Sequence, residues 1–231
     1  MAYQKLDHSG QEDSRSSFAK IDAMFADLFG QAGAGNDQYF TVKESIHAPI
    51  LADLVSIVAA VTPANVALTL AAQPPHARKL SVRIVIGTTT TTAITAGTLT
   101  LVGTDQDGSP VSEVISLIEN ASATVKSKWA YAQLTSATVA GYAANGSGTG
   151  NTVGIGVAAD FGISTGRGAV TNFTCIKETK ITNVEGTSQT AADEAIASVV
   201  TDAVARTVAP VTAASATGLI DYEITCSYTE A

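Results

Sequence analysis

The chain has 231 residues, 13 Lys and Arg against 21 Asp and Glu, and a formal net charge of −8. Acidic balance and scattered basic residues exclude the footprint of a nucleic-acid binder, so no direct nucleic-acid readout is expected. Only 15% of residues are charged and 6% aromatic, against about 25% charged in typical soluble domains; a surface so poor in ions suits a protein largely covered by neighbours.

The first fifteen or so residues are polar and charged, which does not fit a signal peptide and predicts order only against a partner. Ser17 to Phe29 is predicted to be an amphipathic helix, capped by Ser16 or Ser17 and ended by Gly30. Phe18, Ile21, Phe25 and Leu28 recur at helical spacing, Met24 and Phe29 widen the stripe, and Lys20, Asp22 and Asp27 lie off it. A Gly/Ala linker follows, from Gly30 to Asn36. Residues 1–36 therefore read as an N-terminal arm and 37–231 as a body. The stripe either folds back on that body or docks in a groove of another subunit.

Strand signals fill the body. Tyr39 to Ile46 alternates, Val55 to Val61 is a short apolar run, and Val66, Leu68 and Leu70 alternate up to Gln73-Pro74-Pro75-His76. The stretch Leu80 to Leu117 alternates apolar residues with Thr and Ser, and Asp107-Gly108 breaks it. That dipeptide predicts a tight hairpin with both of its residues at positive φ. Lys128 to Val139 reads as a further strand carrying Trp129, Tyr131 and Leu134. Residues 141–168 are glycine-dense without a phosphate-loop or dinucleotide fingerprint, and two subdomains dividing there are one possible organisation. Within them Val153, Ile155 and Val157 alternate with Gly154, Gly156 and Ala158, as in a strand whose outer face touches another backbone. Val170 to Lys177 is strand-like, residues 191–206 are assigned to a short helix, and Leu219 to Tyr228 reads as a closing strand. The expected fold is mainly β, an antiparallel sandwich or barrel-like body behind a helical arm. The most apolar window, residues 50–72, is interrupted by Asp53, Pro63 and Asn65 and does not predict a membrane span.

Reactive side chains are sparse. His8, His47 and His76 fall in no recognisable catalytic or zinc motif. Asp105-Gln106-Asp107-Gly108 begins like a calcium loop, but the twelfth position is Ser116 rather than Glu, and hairpin chemistry accounts for the aspartates. A hydrolase would need paired carboxylates, for which Glu113 and Glu119 are the candidates. Cys175 and Cys226 lie in separate strand-like segments, as two reduced thiols or, if those strands are neighbours, a disulfide. No catalytic, cofactor-binding or metal-binding residue is assigned, and the chain reads as a non-enzyme. The candidate interaction residues are the stripe Phe18, Ile21, Met24, Phe25, Leu28 and Phe29, together with Arg78, Asp107 and Gly108. Arg78 opens a strand after the two prolines, either inside a structural crossover or as an exposed contact to a partner.

Three segments, LTLAAQPPHARKLSVRIVIG, GTLTLVGTDQDGSPVSEVISL and GLIDYEITCSYTE, resemble the β-rich virion proteins of tailed bacteriophages. The N-terminal SRSSFAKIDAMFADLFG is similar to helical segments of phage structural proteins. The resemblance covers about two-thirds of the chain in pieces and marks architecture rather than a reaction. It implies a structural subunit of the virion, assembled in the host cytoplasm, whose partners are other virion proteins and copies of itself. Capsid decoration or cement is the leading expectation; a tail-tube, neck or adaptor subunit is the alternative. From another class, Trp129, Tyr131 and Tyr142 as exposed stacking platforms would suit a carbohydrate- or receptor-binding module.

Overall fold

The computed structural model describes residues 39–47, 49, 51–87, 93–145, 150–166, 170–182, 190–195, 199–210 and 220–230, with backbone alone at 180–182, 190–195, 199, 220 and 230. The expected helix with its stripe Phe18, Ile21, Met24, Phe25, Leu28 and Phe29, and the linker after it, lie outside the described residues. The described chain is mainly β, its strands pair antiparallel, and one sheet curls into a half-barrel.

Strands β1 (Tyr39–Ile46), β9 (Val170–Thr182), β10 (Thr190–Ala195) and β13 (Ile220–Glu230) form one sheet, in the order β1-β13-β9-β10. Strands β4 (Ile94–Thr104), β5 (Pro110–Ser116) and β7 (Gln133–Ala144) form a second, in the order β5-β4-β7. The third comprises β2 (Val58–Val61), β3 (Arg78–Val85), β6 (Ala123–Tyr131), β8 (Thr152–Gly162), β11 (Val199–Asp202) and β12 (Thr207–Ala209). Its order is β11-β12-β8-β3-β6, with β2 also paired to β8.

Period-two alternation decides which face each strand buries. Leu99 and Leu101 of β4, Ile115 of β5 and Val139 of β7 turn inward and meet Leu80, Val82 and Ile84 of β3 and Val153, Ile155 and Val157 of β8 in one apolar cluster. The segment expected as a single strand over Lys128–Val139 is two strands in different sheets. The chain crosses at Ala132, whose N–H donates to the Thr104 carbonyl (2.9 Å), so that both Tyr131 and Leu134 enter the cluster. The β4–β5 hairpin forms, but its turn is not the expected one. Gly108 alone has positive φ (78°), Gly108 N–H donates to the Asp105 carbonyl (3.0 Å), and Asp105 N–H donates to the Ser109 carbonyl (2.9 Å). This is a three-residue loop closed by a left-handed glycine.

A second cluster joins Ile46, Phe161, Ile163, Phe173 and Val208 to Tyr222, Ile224, Cys226 and Tyr228, the buried alternation of β13. Phe161 belongs to β8, so that strand serves both clusters. Between them β8 bulges: Leu80 faces Val157 and Arg78 faces Phe161, so Ala158, Ala159 and Asp160 occupy the length that β3 covers with Lys79. The helix expected over 191–206 is corrected to strands β10 and β11 and a turn at 203–206. The β-branched residues Val199, Val200 and Val204 already permitted strand, and the open edges of β9 and β12 supply backbone partners that an isolated short helix could not match.

As expected for Gly154 and Gly156, another backbone lies against this part of β8. Asp53 N–H donates to the Val157 carbonyl and Ile57 N–H to the Ile155 carbonyl (both 2.9 Å). A Cβ on Gly156 would collide with Asp53, its backbone included. Gly156→Ala should therefore lower stability by about 1–3 kcal/mol, read as a lower urea midpoint; an unchanged midpoint would mean that the Asp53 segment moves aside freely.

Candidate functional site

The outer face of β5-β4-β7 carries no charge across three consecutive rungs. Ser116, Thr98 and Ala140 form the first, Val114, Thr100 and Thr138 the second, and Ser112, Val102 and Ser136 the third. Alternation puts them opposite the buried leucines, and Val114 is 63% exposed. On a chain of net charge −8, this is a neutral, β-branched and hydroxylated platform. Such a surface loses little hydration when covered and gains area-proportional burial.

The hairpin that presents this platform is clamped at its tip. Arg206, in the left-handed region at φ 52°, directs its guanidinium to Asp107 and to Asp105 (3.3 Å), with Thr165 Oγ1 accepting a further bond (2.8 Å). Asp107 Oδ1 also accepts from Ser164 Oγ (2.6 Å) and Gly166 N–H (3.1 Å). Asp105 Oδ1 accepts from the Asp107 and Ser109 N–H groups (both 2.9 Å), and Gln106 Nε2 donates to the Ala205 carbonyl (3.1 Å). These bonds hold Arg206 in a backbone conformation that a residue with a Cβ adopts at a cost. They also use the Asp105 and Asp107 carboxylates internally. Asp107 is thus half-buried in the body, whereas Gly108 beside it is exposed.

An exposed Arg78 is not what the structure contains: the side chain is fully buried. Its Nε donates to the Ala158 carbonyl (2.7 Å), within the segment that bulges, and the guanidinium lies 4.7 Å from the centre of the Phe161 ring. Burial lowers its pKa to about 10, and Asp53, Asp160 and Tyr222 oppose the shift, so it stays protonated at neutral pH. The bulge called for a long cationic donor, and nothing local in the sequence marks a bulge.

The aromatics considered for sugar stacking are turned inward. Tyr131 is buried, while Trp129 and Tyr142 are half-buried against the first cluster. Glu113 fastens the edge of β5 to β6, accepting from Lys128 N–H (2.8 Å) and Tyr131 Oη (3.2 Å). Desolvation holds its carboxyl above the ordinary value despite those bonds, and it raises the Tyr131 phenol further. A cleft of about 210 Å³ is lined by Glu44, Ile46, His76, Gln106, Phe161 and Ser164. Two of its ionisable groups are bonded to the main chain: Ser164 N–H donates to Glu44, and His76 Nε2 donates to the His47 carbonyl (2.9 Å). Burial raises the Glu44 pKa and lowers that of His76. Its volume is below the ~300–1,000 Å³ of ordinary small-molecule sites. Among the described residues no group of three or more His, Cys, Asp or Glu could hold a metal ion, and no helix is long and apolar enough to cross a membrane.

No family model, curated protein or solved structure matches this chain.

Asp107→Ala takes one of two carboxylates from a buried arginine and leaves Ser164 Oγ and Gly166 N–H without their acceptor, and should cost about 2 kcal/mol, measured by urea unfolding. Glu113 gives a pH signature. Its folded pKa is raised, so the folded protein binds its proton at higher pH than the unfolded chain. Stability from this group is therefore present in acid and falls as pH rises through the raised value. Glu113→Gln keeps an acceptor and removes that titration. Its melting temperature relative to the wild type should climb from about pH 4 to about pH 7; a constant offset would show that Glu113 titrates as in the unfolded chain.

Proposed function

We propose that this chain is a structural subunit of a tailed-phage particle that works by burying surface against its neighbours, with a place on the capsid exterior as decoration or cement. The observation that carries the reading is the charge-free outer face of β5-β4-β7, presented by strands whose other face is packed in the main core. The resemblance of the hairpin and closing-strand segments to phage virion proteins supports the same reading. Many copies on a lattice multiply modest contacts into durable attachment. The stripe of Phe18, Ile21, Met24, Phe25, Leu28 and Phe29 supplies a second contact in this reading, inserted into a groove of the shell.

The tail-tube alternative asks the β4–β5 hairpin to reach neighbouring subunits. It draws less support, because Arg206 binds the hairpin tip to the body.

The test places a charge on the middle rung of the platform, on its edge strand β5. Val114 is exposed, so Val114→Lys should leave the melting temperature within the small range of surface substitutions. It should also remove the protein from particles of the encoding phage banded on a density gradient, where the wild-type chain co-bands. Absence of the wild-type chain from such particles overturns the reading; undiminished co-banding of the variant overturns the role of this face.

A further inference from the structure

We propose that Cys175 and Cys226 form a modification site: a cross-strand pair that closes to an intramolecular disulfide when the protein meets a low-molecular-weight disulfide oxidant. The two residues are direct partners in the β9–β13 register, and their Sγ atoms are in direct contact. Directly opposed residues of antiparallel strands have Cα atoms about 4.5 or 5.5 Å apart, and both spacings fall within the ~4.4–6.8 Å that a disulfide accepts. Neighbouring pairs tie the strands on the Ser227 side of the thiols, while on the other side the register shifts between Thr225 and Cys226. Thr174 Oγ1 and Ser227 Oγ share a hydrogen bond (2.9 Å), as do Thr171 Oγ1 and Thr229 Oγ1 (2.7 Å).

Exposure divides the chemistry between the two sulfurs. Cys175 is half-buried and Cys226 is fully buried in the second cluster, where Val42 of β1 is its partner on the other side. Cys175, as thiolate, attacks one sulfur of the oxidant, whose S–S bond breaks and releases one small thiol. Cys226 then gives up its proton and attacks the Cys175 sulfur of the mixed disulfide, releasing the second small thiol. The two protein thiols are oxidised, one small disulfide is reduced to two thiols, and the two protons end on the released thiols. The new bond joins β9 to β13, the central pair of the four-stranded sheet, and closes the loop between residues 175 and 226 in the unfolded chain. A link of that span restricts the unfolded ensemble and raises the melting temperature by about 10 °C.

The experiment treats the folded full-length chain with oxidised glutathione and follows it by intact mass, thiol alkylation after denaturation and thermal melting. The expected product is a monomer lighter by two hydrogen atoms, with no alkylatable thiol, a Cys175–Cys226 cross-linked peptide, and a raised melting temperature that reductant reverses. Cys175→Ser should leave Cys226 unmodified in the folded protein, whereas Cys226→Ala should stop at a glutathione adduct on Cys175. Two surviving thiols, a lasting adduct on the wild-type chain, or dimers linked between copies would overturn the site. A cross-link that leaves the melting temperature unchanged would overturn the stabilising role of the bond.

Discussion

Burial of β8 along nearly its whole length is the constraint on which the described body depends. One set of its side chains, Val153, Ile155 and Val157, enters the first cluster, and Phe161 beyond the bulge enters the second. The Asp53 segment already lies against the Gly154 and Gly156 side of the strand, so a straight run would offer a single face to both cores. Ala158, Ala159 and Asp160, three residues against one of β3, provide the change of course. Each irregularity nearby then answers a consequence of that bend. Arg78 binds the Ala158 carbonyl, Lys126 pairs with the buried Asp160 at 2.7 Å, and Ser127 Oγ accepts the Leu80 N–H on the far side of β3. The glycines at 154 and 156 let the Asp53 segment lie close against the strand.

The distribution of ions follows from the same arrangement. Several of the chain's few charged residues lie inside it: Arg78, Arg206, Asp105, Asp160 and Glu178 are all buried. Arg78 and Asp105 bond main-chain groups at a bulge and a turn, while Arg206 and Asp160 are paired there with Asp105, Asp107 and Lys126. The sheet that faces outward at β5-β4-β7 is left to threonine, serine and valine. A low charged fraction therefore does not mean weak electrostatics. The buried charges lie where the dielectric is low, and pairs such as Arg206 with Asp105 have a fixed geometry.

Much of the strand layout was legible because alternation is a local signal. The spans Tyr39–Ile46 and Leu219–Tyr228, and the hairpin around Asp107-Gly108, sit close to the observed β1, β13 and β4–β5. What escaped the sequence depends on contacts between distant segments. The break at Ala132 separates two apolar runs of the same period, so periodicity passes over it. The strands at 190–202 read as helix because Ala, Asp and Glu dominate locally, while the open edges of β9 and β12 become visible only in three dimensions. The roles of Arg78, Asp107 and Glu113 follow the same rule. Each residue type was conspicuous, but its partner is Ala158, Arg206 or Tyr131, across sheets or bulges that no spacing encodes.

The pairing of β1 with β13 has a consequence for biosynthesis. Tyr39 is opposite Thr229 and Ile46 is opposite Tyr222, so β1 leaves the ribosome long before its ladder partner exists. During translation that alternating strand must wait with an open edge, the state in which nascent β-chains pair wrongly with each other. The sheet around the second cluster is thus closed by late, long-range zippering, a slow event. Correct yield in a crowded cell depends on how well that waiting edge is shielded.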